Sequence, residues 1–393
     1  MPIRPQELAL HTHLNEHGYI APARVNLIGE HTDYTGGLVL PMAIPFSTTA
    51  VISSNSTSQY SFHSEQAKEV REIPLDDRSE AVGDWSDYAV GVLRQLQLRG
   101  ITPPAFDLKI HGNVPYAAGL SSSASLEVAS ALAMLAHAGA TLPLEEIAML
   151  CKLAENDYVH SPCGIMDQFV ITAAKAGHAL LLDTRSLTYE HIPMNHAGLA
   201  DKRIVVCNSM VKHSIANGDY GLRRREVEAG QDVLRADFPH LRDLGDATLE
   251  QLESSAAKMS PESYRRCRHI ISENARVREA KAAMVDGDPA RLGKLMIAAH
   301  ASQRDDFECS CEEIDFLVDT AAALEGCLGA RMTGGGFGGC TVNLVSQEKA
   351  ETFAKTLAAA FLERFSIKAE TYICEAVDGA VLRNSTPAKE AQA

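Results

Sequence analysis

Arg24-Val25-Asn26-Leu27-Ile28-Gly29-Glu30-His31-Thr32-Asp33-Tyr34 places a cation, two carboxylates and an imidazole within ten positions, just ahead of the pair Gly36-Gly37. Val25, Leu27 and Ile28 form a short apolar stretch that breaks at Gly29 into an acidic turn, and a second apolar run follows from Leu38 to Ile44. The pattern predicts strand, polar turn, strand. Carboxylates accept hydrogen bonds and an imidazole can donate or accept, so such a turn suits the several hydroxyls of a small polyol. Alone, the turn reads more readily as a solvated loop; the motifs downstream favour a site.

Gly119-Leu120-Ser121-Ser122-Ser123-Ala124-Ser125 follows a predicted strand and runs straight into an Ala-rich helix. The first turn of a helix has unpaired N–H groups and a partial positive charge, so a loop of small residues there suits a phosphate. A serine-capped helix is the alternative. No GxxxxGK[ST] pattern is present, which excludes a Walker loop and its lysine. Thr333-Gly334-Gly335-Gly336-Phe337-Gly338-Gly339 holds five glycines in six residues between two predicted strands. A plain hairpin needs one or two, so this backbone is expected to need positive φ or to approach another group closely. In Cys163-Gly164-Ile165-Met166-Asp167-Gln168, an aspartate stands among apolar residues after a Ser161-Pro162 break. Asp167 is therefore a candidate base, with Met166 and Phe169 limiting its hydration and a cation holding it ionised. Glu155 is either a site residue or an exposed partner of Lys152 on a helix surface.

The rest of the chain is an ordinary globular frame. Its 393 residues, 46% hydrophobic and 22% charged, suffice for a sizeable core and suggest two domains. Lys and Arg total 36 against 51 Asp and Glu, a formal charge of -15, which argues against nonspecific binding of nucleic acid or an anionic membrane. Nine cysteines lack CxxC spacing, and Cys309-Ser310-Cys311 is the one close pair. This usage fits a reducing cytoplasm better than a disulfide scaffold. No signal peptide or membrane span is expected, since the Val128–Ala140 stretch is short and Ala-rich.

Helices are predicted over Ser86–Arg99, where Ala89, Val92, Leu93 and Leu96 share one face and Ser86 is a candidate cap, and over Ser123–His137 and Leu144–Asn156. Strands are predicted over Ala105–His111, His178–Asp183 and Arg203–Asn208. The segment Asp219–Leu324 reads as mostly helical. Strands Ala330–Thr333 and Cys340–Val345 then flank the glycine loop, and a helix over Gln347–Phe365 and a strand over Lys368–Cys374 close the fold. The class expected is α+β with two domains, 1–195 and 196–393, because Asn195-His196-Ala197-Gly198 interrupts both patterns. The tail 384–393 is polar and expected to fray.

With these motifs assembled, the chain resembles the galactokinase family of the GHMP kinase superfamily over nearly its whole length. The resemblance rests on Gly29 to Tyr34, Gly119 to Ser125, Cys163 to Gln168 and Met332 to Gly339, supported by His300-Ala301-Ser302 and Arg304-Asp305-Asp306-Phe307. It implies a two-domain fold with the active site between the domains, and transfer of the ATP γ-phosphoryl group to the C1 hydroxyl of α-D-galactose. It also implies Asp167 as the base and Arg24 as the cation that offsets developing charge. Glu30, His31, Thr32, Asp33, Gly164 and Tyr220 correspond to sugar-binding positions. Ala117, Ala118, Gly119, Leu120, Ser121, Ser122 and Ser123 correspond to the ATP loop, and Ser123 and Glu155 to Mg²⁺ ligands. Galactose and MgATP are the implied partners of a cytoplasmic monomer, with neither nucleic acid nor membrane. Two departures stand out: Tyr116-Ala117-Ala118-Gly119 lacks the glycines or polar residues common before the last glycine, and Cys309-Ser310-Cys311 is unusually cysteine-rich. N-acetylgalactosamine kinases, richer in glycine around Cys163-Gly164-Ile165-Met166, are one alternative. Yeast galactokinase-like inducers, which lack the Ser-Ala pair intact here as Ser123-Ala124, are another.

Overall fold

The structure is a computed structural model that describes residues 18–115, 118–212 and 216–383. Ala117, expected in the phosphate loop, and the tail 384–393, expected to fray, lie outside the described residues.

The first half is built on strands β1 (Gly18–Asn26), β2 (Leu38–Val39), β3 (Pro41–Ser54), β4 (Gln59–Ser64), β5 (Glu69–Pro74), β6 (Phe106–Gly112), β7 (His178–Asp183) and β8 (Tyr189–Pro193), with helices α1 (Asp87–Leu98), α2 (Ser122–His137), α3 (Leu144–Leu153) and α4 (Met166–Ala173). The second half holds β9 (Lys202–Lys212), α5 (Ala216–Asp237), α6 (Leu249–Ser255), α7 (Pro261–Val285), α8 (Pro289–Ser302), α9 (Glu312–Ala323), β10 (Cys327–Thr333), β11 (Gly338–Ser346), α10 (Ala350–Phe365), β12 (Glu370–Cys374) and β13 (Val381–Arg383). This is the α+β arrangement expected. One sheet has the order β13-β1-β3-β6-β4-β5, a second β10-β11-β9-β12 and a third β2-β7-β8. Every pairing is antiparallel except β4 with β6.

The periodicities find their partners. Ala89, Val92, Leu93 and Leu96 of α1 are all buried, and so are Phe106, Leu108 and Ile110, the alternating residues of β6. In α2 the small face of Ala124, Val128 and Ala131 lets the helix lie close on β1 and β3. A second buried cluster joins the halves, with Val25, Ile28 and Met42 meeting Ile204, Val342, Val277 and Met296. A third lies within the second half, around Phe307, Leu317, Phe353 and Phe361.

Three features depart from the sequence reading. The helix expected over Leu144–Asn156 leaves α-geometry at Leu153 and passes into a π-turn, Ala154–Tyr158, and a matching π-turn, Gln303–Phe307, follows α8. Such wide turns are frequent at functional sites, and here one carries Glu155, bonded to Gln168, and the other Phe307, stacked on His31. The strand expected over Arg203–Asn208 extends to Lys202–Lys212, because β9 is central in its sheet, with partners on both edges. The hairpin β4–β5, and β8 and β13, were not anticipated: β5 and β8 are polar and largely exposed, and β13 is only three residues long.

Candidate active site

Arg24 stands in a stretch of β1 that is buried from Ala21 to Asn26. The register of β1 on β3 slips between Pro22 and Ala23, so Pro22 faces Ser47 and Ala23 faces Ile44. Pro22 and Pro45 lack N–H donors, which favours an irregular ladder at that point, and such an irregularity re-aims the residues after it. Arg24 then donates from Nε and Nη2 to the two oxygens of Asp167 at 2.6 and 2.5 Å, and from Nη1 to the Gly119 carbonyl at 2.7 Å. Burial alone would lower the Arg24 pKa, but the Asp167 carboxylate outweighs it and holds the guanidinium charged. A fork-to-fork ion pair of this kind fixes both partners in direction as well as in charge.

The phosphate loop hangs on the same pair. Arg24 N donates to Leu120 O at 3.2 Å. Ser121 occupies the residue before α2 but does not cap it: it lies in the left-handed region at φ 64, and its hydroxyl donates to Asp167 Oδ2 at 2.5 Å. The orphan N–H groups of the first turn thus keep no side-chain partner from that serine, as an anion cradle requires. Ser123 sits in that first turn, partly exposed.

In the acidic turn, His31 also adopts a left-handed backbone, φ 63, and its ring stacks on Phe307 of the second π-turn at 4.1 Å between centroids. Burial, with His269 and Arg331 nearby, lowers its pKa to about 3, so the imidazole is neutral. Asp33 reaches across to Gly164, where a Cβ would lie 1.8 Å from Asp33 Oδ2. Burial, then the charge of Asp167, raises the Asp33 pKa to about 6. The Thr32 hydroxyl and one carboxylate oxygen of Glu30, both residues expected at the sugar, are engaged within the protein. Thr32 Oγ1, fully buried, lies 2.8 and 2.7 Å from the Gly29 and Leu38 carbonyls and shapes the turn. Glu30 Oε1 accepts from Gly334 N at 2.9 Å and Thr333 Oγ1 at 3.1 Å, while Glu30 also borders the cavity.

Arg24, Glu30, His31, Asp33, Gly164, Asp167 and Tyr220 line one cavity of about 470 Å³, closed on its far side by Gly334 and Gly335. His160, Ser161, Pro162 and Cys163 complete its wall. Residues of three separate motifs, the acidic turn, the segment from Cys163 to Gln168 and the glycine loop, thus meet at one hollow between the halves. Ala118 and Leu120 do not line it; they are buried and pack in the cluster that joins the halves.

Glu155 is no surface residue. It is 7% exposed, held in the first π-turn, and accepts from Gln168 Nε2 at 2.9 Å. The same Gln168 amide reaches Glu127 at 3.0 Å. Burial, then the charge of Asp167, pushes Glu155 up to about 7, and burial together with Glu155 holds Glu127 well above the usual carboxylate range. A carboxylate so raised lacks a compensating cation, which suits a divalent metal. Among the described residues, no group of three or more His, Cys, Asp or Glu is disposed to hold a metal unaided. A hard cation here would complete its shell from water and nucleotide phosphates.

Three regions of the chain match family models: residues 11–54 the galactokinase galactose-binding signature, 87–175 the GHMP kinase N-terminal domain, and 280–363 the GHMP kinase C-terminal domain. A galactokinase of Roseiflexus sp. is 40% identical over 93% of this chain and 93% of its own length. The chain belongs to the galactokinase family of GHMP kinases. Human galactokinase, within that family, is 40% identical over 92% of this chain and 90% of its own. The galactose complex of Lactococcus lactis galactokinase, 33% identical, covers 93% of this chain with a TM-score of 0.88. Methanococcus jannaschii mevalonate kinase, at 18% identity and a TM-score of 0.67, shares the fold.

Sequence reasoning passed over several residues at this family's site. Glu127 was legible in principle, as an acid on the same face of α2 as Ala124, Val128 and Ala131. Glu273 and Arg331, both fully buried, approach the acidic turn only through long-range packing and gave no local signal.

Proposed function

We propose that this member of the galactokinase family transfers the γ-phosphoryl group of ATP to the C1 hydroxyl of α-D-galactose, giving galactose 1-phosphate and ADP. The observation that carries this reading is the Arg24–Asp167 pair, which faces a sugar-sized hollow on one side and is bonded to the phosphate loop on the other. Asp33, Glu30, neutral His31 and Tyr220 bind the sugar and present its C1 hydroxyl to Asp167. Asp167 accepts the hydroxyl proton as the new P–O bond forms. Phosphoryl transfer has a loose transition state with charge spread over its oxygens, so little base strength is needed and alignment matters most. Arg24 supplies both: it fixes the direction of Asp167 and offsets charge at the reacting oxygens. Ala117 to Ser123 hold the nucleotide phosphates through backbone N–H groups and hydroxyls, and the glycine loop closes over them from the second half.

Ser123 and Glu155 would hold Mg²⁺, which would supply positive charge to offset the negative charge of the nucleotide phosphates. The raised pKa of Glu155 supports that assignment. We divide the chain into an N-terminal domain, 1–195, with the sugar turn and phosphate loop, and a C-terminal domain, 196–393, with the glycine loop. It is proposed to act as a cytoplasmic monomer; all nine cysteines are free thiols, as a reducing compartment would keep them.

The purified chain with MgATP should release ADP with galactose and far less with glucose or N-acetylgalactosamine. Absence of ADP with galactose, or no sugar 1-phosphate among the products, overturns the reading.

A further inference from the structure

The acidic turn does not hold itself in place. Gly29 N donates to Glu273 Oε1 at 2.8 Å, and Glu273 is fully buried in the middle of α7, in the other half of the chain. Arg276 Nε holds the second oxygen of Glu273 at 2.6 Å. Beside Glu273 stands Arg331 of β10, also fully buried, with Nη2 3.9 Å from Glu273 and Nη1 3.4 Å from Glu30 Oε1. Arg331 Nη1 further donates to Asn26 O at 3.0 Å, at the end of the strand that carries Arg24. Glu30 Oε1 is thereby fully used by Arg331, Thr333 and Gly334, and Oε2 carries none of these bonds.

A carboxylate and a guanidinium wholly removed from water are costly unless their geometry is needed, and breaking such a pair leaves a buried charge. The arginines hold Glu273 at about 2 despite burial, which would raise it, so the carboxylate is ionised throughout the working range. Gly29 itself has no slack: it sits at φ +105, and a Cβ there would lie 2.8 Å from Leu38 O. The turn is clamped between α7 and β10, so its two sugar-facing acids can move only if that clamp yields.

We propose that Glu273 and Arg331 are positioning residues for the sugar, which fix Gly29 and Glu30 so that these two residues of the C-terminal half set galactose affinity without themselves touching the sugar. This rests on the reading of the acidic turn as the sugar site. Its test separates the two acceptor functions of Glu273. Glu273→Leu removes both the Gly29 acceptor and the charge, whereas Glu273→Gln keeps an amide oxygen for Gly29 N–H and loses only the charge. The full chain is assayed for KM of each substrate, with galactose binding measured separately by calorimetry without nucleotide. Glu273→Leu should weaken galactose by about 10-fold or more in both measurements, while KM for MgATP stays within roughly threefold, as expected for loss of a charged hydrogen bond that aims a ligand group. Glu273→Gln should weaken galactose by a smaller factor, roughly threefold. If the Leu variant fails to fold, the Gln variant decides. Unchanged galactose binding in the folded variants, or equal loss for both substrates, overturns the proposal. Failure of the unmodified chain to bind galactose would instead overturn the function reading beneath it.

Discussion

Asp167 carries three short hydrogen bonds, two from Arg24 and one from Ser121, so its role divides into taking a proton and standing still. Asp167→Asn should keep galactose binding while kcat falls by roughly 10²-fold or more, the usual loss for a general base. Near-normal turnover would remove the assignment. Arg24→Ala should be at least as damaging, because it frees Asp167 and the Gly119 carbonyl together and removes the cation beside the reacting oxygens; a milder loss would mean that alignment is not the main contribution. Asp33 bears on sugar choice. Galactose and glucose differ in one hydroxyl, and a buried acceptor left unpaired by the wrong epimer discriminates by up to about 10⁴-fold. Asp33→Ala should therefore cut kcat/KM for galactose by about 10²-fold with little change for MgATP. The Asp33 carboxyl, raised to about 6, also sets a pH limit: as pH falls through about 6 it takes a proton and loses its charge and one acceptor oxygen, and KM for galactose should climb. A flat KM from pH 7.5 to 5 would detach Asp33 from the sugar. These roles were legible because a dense polar turn stands out locally. What the turn leans on was not, since Glu273 and Arg331 are ordinary residues in ordinary elements until the chain is folded.

The glycine loop is the element whose composition the fold explains best. Gly336 lies at φ +92 with its Cα so near the Cys309 carbonyl that a Cβ would meet it at 2.5 Å, and Phe337 N donates to that carbonyl at 2.7 Å. On the other side, a Cβ at Gly334 would stand 3.2 Å from Gly119 O in the phosphate loop. The loop is wedged between two backbones, and the Cys309-Ser310-Cys311 segment, unexplained in the sequence, is its rear support. Gly336→Ala must therefore push the loop forward; we expect KM for MgATP to rise by about 10-fold or more with galactose binding in the absence of nucleotide retained. Unaltered nucleotide kinetics would mean that the loop does not form the phosphate wall. The period of β6 was readable because one face alone is buried, and the helices α1 and α2 because apolar and small residues fill most of their positions. The two π-turns were not, because their extra residue serves tertiary aim: Glu155 in one, and in the other Phe307 beneath His31.

For the molecule as a whole, the buried ionisable groups oppose one another as pH falls. His31 and His269, lowered to about 3 and about 4 by burial, stay neutral in the fold while the unfolded chain protonates them below about 6.5, so each loses stability as pH falls from there. Asp33 and Glu155, raised to about 6 and about 7, and Glu127, held well above the usual carboxylate range, do the opposite, because the fold takes their protons first. Without Mg²⁺, the melting temperature should hold or rise between pH 6 and about 4.5, then drop as Glu273, held at about 2, begins to oppose folding. Asp33→Asn removes one compensating proton and should flatten or lower that segment; the same profile as the unmodified chain would refute the balance. The α+β class and the placing of the motifs were accessible from pattern alone, whereas the pairing of β13 with β1 was not, since three residues so late in the sequence show no sign of where they return. That pairing has a consequence for the nascent chain. β1 leaves the ribosome long before β13, the partner for its outer edge, so in the interval this edge offers open N–H and C=O groups to any neighbouring polypeptide. Products truncated before β13 should therefore seek chaperones or one another, and only a chain that reaches β13 can seal its own first sheet.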